Sequence, residues 1–168
     1  AFYLPNEIIV EAGEYNLWAL RSHFNTPRTK KVVANFGVDG GGFYDGKQIS
    51  TNFETEFNLS ASVQLSAFYN FDKVKFVETD QQFSNNLARL KATYMLNTKL
   101  SMSAFVQYNE LENIIISNFR LRFNPRDGND LYLVLNDTRY ADKTDLSPVP
   151  ESFINQTIML KYTHTFKL

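Results

Sequence analysis

The chain has 168 residues with 17 basic and 18 acidic side chains, a size that suits one domain and leaves a formal net charge of −1. This balance argues against a nucleic-acid-binding protein, which usually carries a clear basic excess. The sequence has no Cys, which excludes disulfides, Cys-based metal sites and thiol catalysis. Aromatic residues nevertheless make up 15% of a chain whose mean hydropathy is −0.31, so the rings need shelter while the chain as a whole stays polar.

Nearly every segment alternates between apolar and polar residues with a period of two, which is typical of β-strands with two different faces. In residues 49–59, Phe53 and Phe57 share one face, and Glu54 and Glu56 share the other. No apolar run approaches the ~20 residues that a transmembrane helix requires. The pattern predicts nine strands, at residues 14–25, 29–39, 49–59, 63–71, 87–96, 100–109, 114–123, 131–136 and 157–168.

Short and long connections tend to alternate between these strands. The short, turn-like connections are residues 25–28, 60–62, 97–98 and 124–129. The longer and more polar connections are residues 39–47, 72–82, 110–113 and 138–152. This alternation is typical of a transmembrane β-barrel, which has short periplasmic turns and long outer loops. The glycine run at residues 40–42 is followed by no Lys-Ser/Thr pair or helix, so we expect it to let a strand end bend rather than to bind phosphate.

Two kinds of β-protein fit the alternation. A soluble barrel or sandwich buries its apolar face, whereas a membrane barrel turns that face to lipid and its polar face to the lumen. Aromatic residues near strand ends, mixed charges on the polar faces and an aromatic near the C-terminus favour the membrane barrel. The predicted lipid-interface aromatics are Trp18, Tyr69, Phe71, Tyr94, Tyr108, Phe123 and Phe166. The predicted lumen-lining residues are Glu54, Glu56, Arg89, Lys91, Arg120, Arg122 and Lys161.

The strand count carries a further expectation. Bacterial single-chain barrels have an even number of strands and keep both termini in the periplasm. Nine strands therefore predict that residues 1–168 form one domain that is the C-terminal part of a larger antiparallel up-and-down barrel, incomplete on its N-terminal side. Residues 1–10 are an alternative source of a tenth strand, although Pro5 is unfavourable within a strand.

Several segments together resemble a known family. They are Gly42-Phe43-Tyr44-Asp45-Gly46, Phe105-Val106-Gln107-Tyr108-Asn109, Asn118-Phe119-Arg120-Leu121-Arg122, residues 130–137 and residues 160–166. From about Gly13 to the C-terminus the sequence resembles the C-terminal barrel of a little-characterised family of large Gram-negative outer-membrane proteins, in which a carbohydrate-binding-like β-sandwich precedes the barrel. It departs from the family at residues 125–129, where the family tends to have a Pro-Gly pair. The resemblance implies an outer-membrane location and no particular substrate.

The two histidines do not suggest an enzyme. His23 shares its face with Arg21 and is expected to point to the lumen, and His164 shares its face with Leu160 and is expected at the lipid interface. A barrel hydrolase needs a His with a nearby acid or Ser at the outer rim, and neither residue fits. We therefore expect no catalytic residue, no cofactor and no metal.

The charged residues of the polar faces allow two interpretations each. Glu54 and Glu56 resemble an acid/base couple or a cation site, but pairing with Arg89, Lys91 or Arg120 is the favoured interpretation. The basic residues Arg120, Arg122 and Arg126 suggest an anion-selective constriction or contacts to a plug domain. A charge ladder that pairs them with Glu54 and Glu56 across a water-filled lumen is favoured here as well.

The sequence thus predicts a non-enzymatic outer-membrane β-barrel that serves as a pore, a translocation conduit or a membrane anchor. Its expected partners are membrane lipid or lipopolysaccharide and other outer-membrane or periplasmic proteins, and no nucleic acid. One alternative is a structural or interaction subunit with a plugged lumen. Another is a soluble β-barrel that binds an apolar ligand.

Overall fold

A computed structural model describes residues 2–4, 8–10, 12–77, 79–142, 144 and 153–165 of the chain. Its strands are β1 (Phe2–Leu4), β2 (Ile8–Val10), β3 (Ala19–Asn25), β4 (Val32–Phe43), β5 (Gly46–Asn58), β6 (Val63–Phe76), β7 (Gln82–Met95), β8 (Leu100–Asn109), β9 (Ile114–Arg126), β10 (Asn129–Tyr140) and β11 (Phe153–His164). No helix long and apolar enough to cross a membrane occurs in the described ranges. The described ranges contain strands and no helix, so the described protein is all-β, as the alternating pattern predicts.

Strands β3 to β11 form one antiparallel sheet in which every strand pairs with its neighbours in sequence. The order is that of an up-and-down meander, and the predicted number of nine strands is confirmed. The sheet is open, because β3 and β11 each pair with a single neighbour within the described part of the chain. With nine alternating strands, these two edge strands run in the same direction.

The strands extend further than predicted into segments that we expected to be long connections. Strand β4 continues to Phe43 and β5 begins at Gly46, so Tyr44 and Asp45 alone form the turn, with Tyr44 at φ 52°. Residues 72–76 likewise belong to β6. The predicted long connections at residues 39–47 and 72–82 are wrong in these parts, because polar residues are not confined to loops. A ladder of backbone hydrogen bonds continues through polar residues as long as both strands remain extended.

Three further boundaries differ from the prediction. Residues 14–18 precede the first strand of the sheet, which begins at Ala19, and β11 begins earlier than expected, at Phe153. The segment that departs from the family's Pro-Gly pattern forms a tight turn at Asp127 and Gly128. Gly128 has φ 85°, a conformation that glycine adopts without steric cost.

Residues 2–4 and 8–10, the described part of the first ten residues, do not add a strand to the large sheet. Strands β1 and β2 pair with each other as a separate hairpin, and Pro5 lies outside the described residues. Ile8 and Val10 of this hairpin are 1% exposed and pack with Val74 and Phe76 at the end of β6. Partly buried side chains surround this cluster, namely Tyr15, Phe43, Tyr44 and Phe83. The best-buried side chains of the described protein therefore lie at one end of the sheet rather than along it.

The glycine run lies at the end of β4, directly before its last residue Phe43, and it permits a close approach of the chain before β3. A Cβ on Gly41 would lie 2.2 Å from the backbone oxygen of Trp18, which also accepts a 2.9 Å hydrogen bond from the Gly42 N–H. A Cβ on Gly40 would come no closer than 3.8 Å to its nearest neighbour, the Gln48 oxygen. Position 41 therefore requires glycine, because the Trp18 backbone leaves no room for a side chain.

We expect Gly41→Ala to lower the free energy of unfolding by about 1–3 kcal/mol, because the backbone around Trp18 must move to admit the methyl group. Gly40→Ala is the matched control and should change stability by at most about 0.5 kcal/mol. Urea unfolding of the two variants, followed by the fluorescence of Trp18, measures both values. Equal effects of the two substitutions would contradict the close approach.

Candidate functional site

Pairing of the strands sorts their side chains into two faces, because residues directly opposite each other in a ladder point the same way. Phe36, Phe53 and Tyr69 are successive register partners on one face, which we call the outer face. Glu54 lies opposite Phe68, which in turn lies opposite Arg89 on the other face. We call this second face the concave face. The alternation expected from the sequence is thus maintained across the sheet.

On β4 to β9 the outer face carries a band of apolar side chains without any Asp, Glu, Lys or Arg. Strand β10 departs from this pattern, because Asp137 and Arg139 lie on the same face, opposite Ser117 and Ile115, with Arg139 Nε 2.6 Å from Asp137 Oδ2. In β6 the band runs from Val63 to Phe71 and in β8 from Leu100 to Tyr108. This length is about nine residues, or roughly 30 Å along the strand at ~3.3 Å per residue. Many of its large side chains are exposed, including Leu20, Phe24, Phe36, Phe53, Leu65, Leu90, Val106, Ile158 and Leu160. Thr55 interrupts the band as a buried residue whose hydroxyl donates to the Val33 carbonyl at 3.1 Å.

Charged residues begin directly beyond one border of this band. Lys73 and Lys75 continue the outer face of β6 after Phe71. The Lys75 ammonium lies 2.7 Å from the Asp80 carboxylate in the following turn. Its hydrogen bond lowers the pKa of Asp80 below the usual value of 3.8. The transition from apolar to charged side chains is therefore abrupt.

Aromatic residues mark both borders of the band. Tyr69 and Tyr108 lie towards the end with the β6–β7 turn, and Tyr94 and Phe123 lie towards the opposite end. All four are exposed, whereas Phe71 is half-buried and Trp18, which precedes β3, is 62% exposed. Phe166, also predicted as an interface aromatic, lies outside the described residues.

One aromatic at these borders was missed from the sequence. Tyr162 of β11 lies opposite Leu131, which also faces Phe123 across β9, so Tyr162 belongs to the same border as Phe123. The exposed fraction of Tyr162 is 62%. Its alternation with Lys161 was the signal that could have identified it.

The concave face encloses a cavity of about 690 Å³ whose lining comes from six successive strands, β4 to β9. A sheet that wraps one space with side chains from so many strands curves towards that space. Burial agrees with this curvature, because Phe68 and Phe105 inside are half-buried while Leu90 and Val106 outside are exposed. A smaller groove of about 410 Å³ on the outer face lies over Ala67, Ala92 and Ala104, whose side chains are small.

All seven predicted lumen-lining residues lie on the concave face. Five of them line the cavity, namely Glu54, Glu56, Arg89, Lys91 and Arg120. Arg122 and Lys161 lie on the same face, opposite Tyr132 from its two sides, and do not line this cavity. His23 also lies on this face, together with Arg21. Its Nε2 is 3.8 Å from Asp39 Oδ1.

Among the described residues, Glu54 and Glu56 form no ion pair with the basic residues of this face, so the predicted pairing is wrong. Glu54 instead accepts a 3.3 Å hydrogen bond from Asn35. Glu56 accepts bonds of 2.8 Å from Gln64 and 3.1 Å from Asn58. Strand β6 lies between the acidic strand β5 and the basic strand β7, so the two sets of Cα atoms are about 10 Å apart. Neighbouring amides therefore reach the carboxylates first.

The basic residues have three different environments. Arg89 donates from Nε to Gln107 Oε1 at 3.2 Å, and its guanidinium lies 5.2 Å from the ring centre of Phe68 and 5.7 Å from that of Phe105. Arg122 is neutralised by Asp130, with Nε 2.7 Å from Oδ1. Lys91 and Arg120 have no hydrogen-bond or ion-pair partner among the described residues.

The described residues contain no group of three or more His, Asp and Glu side chains placed to hold a metal ion. His164 contacts the side chain of Asn129 and stacks on Tyr162, with ring centres 6.4 Å apart. It lies on β11, at the end of the sheet opposite the β6–β7 turn. His23 and His164 thus lie on the two edge strands, β3 and β11, which do not pair with each other in the described part of the chain.

No family model and no curated protein matches this chain. Its function is therefore inferred from the two faces of the sheet, one apolar and exposed and one polar and concave.

Proposed function

We propose that the nine-stranded sheet is part of the wall of an outer-membrane β-barrel, with its outer face against lipid and its concave face towards the lumen. The observation that carries this proposal is the direction of curvature. A soluble β-barrel has its apolar side chains on the inside of the curve, but here the inside holds Glu54, Arg89 and Lys91. Exposed apolar residues such as Leu90, at 65%, lie on the outside. An apolar outer surface around a polar interior is the arrangement of a β-barrel that is surrounded by lipid.

The size of the apolar band supports the same proposal. A transmembrane strand needs about 9–11 residues, and the uncharged outer face of β6 and β8 runs about nine. At the usual tilt of about 35–45°, a length of roughly 30 Å spans about 21–25 Å of bilayer. Tyr69 and Tyr108 at one border and Tyr94 and Phe123 at the other have the placement of interfacial girdles.

Two roles within such a barrel follow from the concave face. Its cavity and charged lining suit a pore or translocation conduit. The β1–β2 hairpin favours the second role, a plugged structural or interaction subunit, because Ile8 and Val10 cover the concave face of β6 at Val74 and Phe76. In either role the protein is non-enzymatic and has lipid or lipopolysaccharide as its partner.

The test uses Trp18, the single Trp of the chain, as a probe of depth. In vesicles of brominated phosphatidylcholine, bromines near the headgroups should quench Trp18 more strongly than bromines deep in the acyl chains. In a Trp18→Phe background, Leu90→Trp should show the reverse order, and Phe105→Trp on the concave face should be quenched little by either lipid. A protein whose Leu90→Trp and Phe105→Trp variants respond alike does not face lipid with its outer surface.

A further inference from the structure

We propose that the concave face carries a binding site for a small, water-soluble oxyanion, a carboxylate or phosphate group held by Arg89, Lys91 and Arg120. The three residues line one cavity and come from two strands, β7 and β9, that flank β8. The site concerns the concave face alone, so it does not depend on what covers the outer face.

The charge of the cavity favours an anion. Its lining holds four basic residues, Arg28 with the three named above, but only two carboxylates, Glu54 and Glu56. Both carboxylates accept hydrogen bonds from amide side chains of β4 to β6. The acidic and basic residues of the cavity therefore lie on different strands, and Lys91 and Arg120 have no carboxylate partner among the described residues.

Arg89 is held in a fixed orientation. Its guanidinium lies between the rings of Phe68 and Phe105, and its Nε donates to Gln107. A guanidinium has five N–H donors, so the four on its terminal nitrogens remain for a ligand. Because the two rings already restrict the guanidinium, it loses less conformational entropy when it binds a ligand. The N–H groups on its two terminal nitrogens match the two oxygens of a carboxylate or phosphate.

Lys91 and Arg120 complete the site from either side of β8. Lys91 lies opposite Phe105, and Arg120 lies opposite Ser103, two residues along the same strand. Neither cation has a hydrogen-bond or ion-pair partner in the described part of the chain, whereas Arg122, the next residue of β9 on this face, is paired with Asp130. The contrast places the available charge at Arg120 and not at Arg122.

Titration of the full chain in neutral detergent micelles with inorganic phosphate, followed by ³¹P NMR at low ionic strength, tests the site. We expect saturable binding that Arg120→Gln and Lys91→Gln each weaken by about tenfold or more, because each removes a charge-assisted hydrogen bond. Arg120→Lys should retain most of the affinity. Arg122→Gln is the matched control and should leave the dissociation constant within about twofold, since the charge of Arg122 is already paired with Asp130 and its side chain does not line the cavity.

Two further measurements test whether a lipid headgroup occupies the site and whether the carboxylates of β5 oppose binding. Phosphatidylglycerol added to the micelles should not compete with phosphate, because the proposed site faces away from the apolar surface. Glu56→Gln should strengthen binding by removing a negative charge from the cavity. Far-UV circular dichroism confirms that each variant retains its strands. Absence of saturable binding, equal weakening by Arg122→Gln, or competition by the lipid would each overturn the proposal.

Discussion

Replacing Leu90 by Arg is expected to lower the free energy of unfolding in a bilayer by about 2–4 kcal/mol. Leu90 lies on the outer face of β7, the central strand of the sheet, and is 65% exposed. Its register partners Ala67 and Val106 are uncharged, so an Arg here would stand in the middle of the apolar band. If that band contacts hydrocarbon, the guanidinium must be desolvated or must distort the bilayer to reach water.

Met159→Arg is the matched control for this substitution. Met159 is an apolar side chain of similar size, is 50% exposed and lies between Ile158 and Leu160 of β11, but it points to the concave face. An Arg at this position stays in water if the concave face lines a lumen, so stability should change by at most about 0.5 kcal/mol. Urea unfolding in phosphatidylcholine vesicles, read from Trp18 fluorescence, gives both values. A small, equal effect of the two substitutions is the result expected of a soluble protein and would refute the lipid contact.

Phe76→Ala is expected to weaken the end of the sheet where the β1–β2 hairpin packs, by about 3–5 kcal/mol. Phe76 is 1% exposed and contacts the cluster that includes Ile8, Val10 and Val74. Its ring also lies edge-on to Phe43, with ring centres 6.3 Å apart. Removal of the ring leaves a cavity in the cluster that holds Ile8 and Val10, so we expect the hairpin to detach before the long strands separate.

Native-state hydrogen exchange measures this loss residue by residue. Amides of β2 and of residues 74–76 should exchange faster in Phe76→Ala, while those of β8 and β9 should keep their protection. Val77→Ala, one residue further along the chain, serves as the control because Val77 is 64% exposed and its truncation should matter little. If exchange at β2 is unchanged in Phe76→Ala, the hairpin is not held by this cluster.

Conductance of the same two variants in planar bilayers separates the two roles proposed for the barrel. A hairpin that plugs the lumen should leave the original protein closed and make Phe76→Ala conduct, with Val77→Ala remaining closed. An open pore should conduct in all three proteins. The comparison uses one buried and one exposed position of the same strand end, so an effect on insertion alone would appear in both.

Alternation of apolar and polar residues was sufficient to predict the nine strands and their two faces. In residues 49–59, for instance, Phe53 and Phe57 lie on the outer face, and Glu54 and Glu56 lie on the concave face. Strand ends were less predictable, because Lys73, Lys75 and the residues around them are polar and still take part in the ladder. Backbone hydrogen bonding does not depend on side-chain polarity, so composition alone misplaces such ends.

The partners of the charged residues could not be predicted from the sequence either. Glu54 and Arg89 are on the same face, but Phe68 of β6 lies between them in the register. Asn35 lies directly opposite Glu54 and donates to it. Which residue stands next to a carboxylate depends on strand order and register together, and neither is contained in the spacing of charges along one strand.

The nine strands of the sheet, their polar and apolar faces and the absence of thiol chemistry are properties that the amino-acid sequence by itself determined for this protein. The direction in which the sheet curves is known only from the folded chain. A period of two distinguishes the faces but is the same whichever face lies inside, so it fits a soluble barrel and a membrane barrel equally well. The cavity lined by Glu54, Arg89 and Arg120 puts the charged face inside, because side chains from six strands converge there.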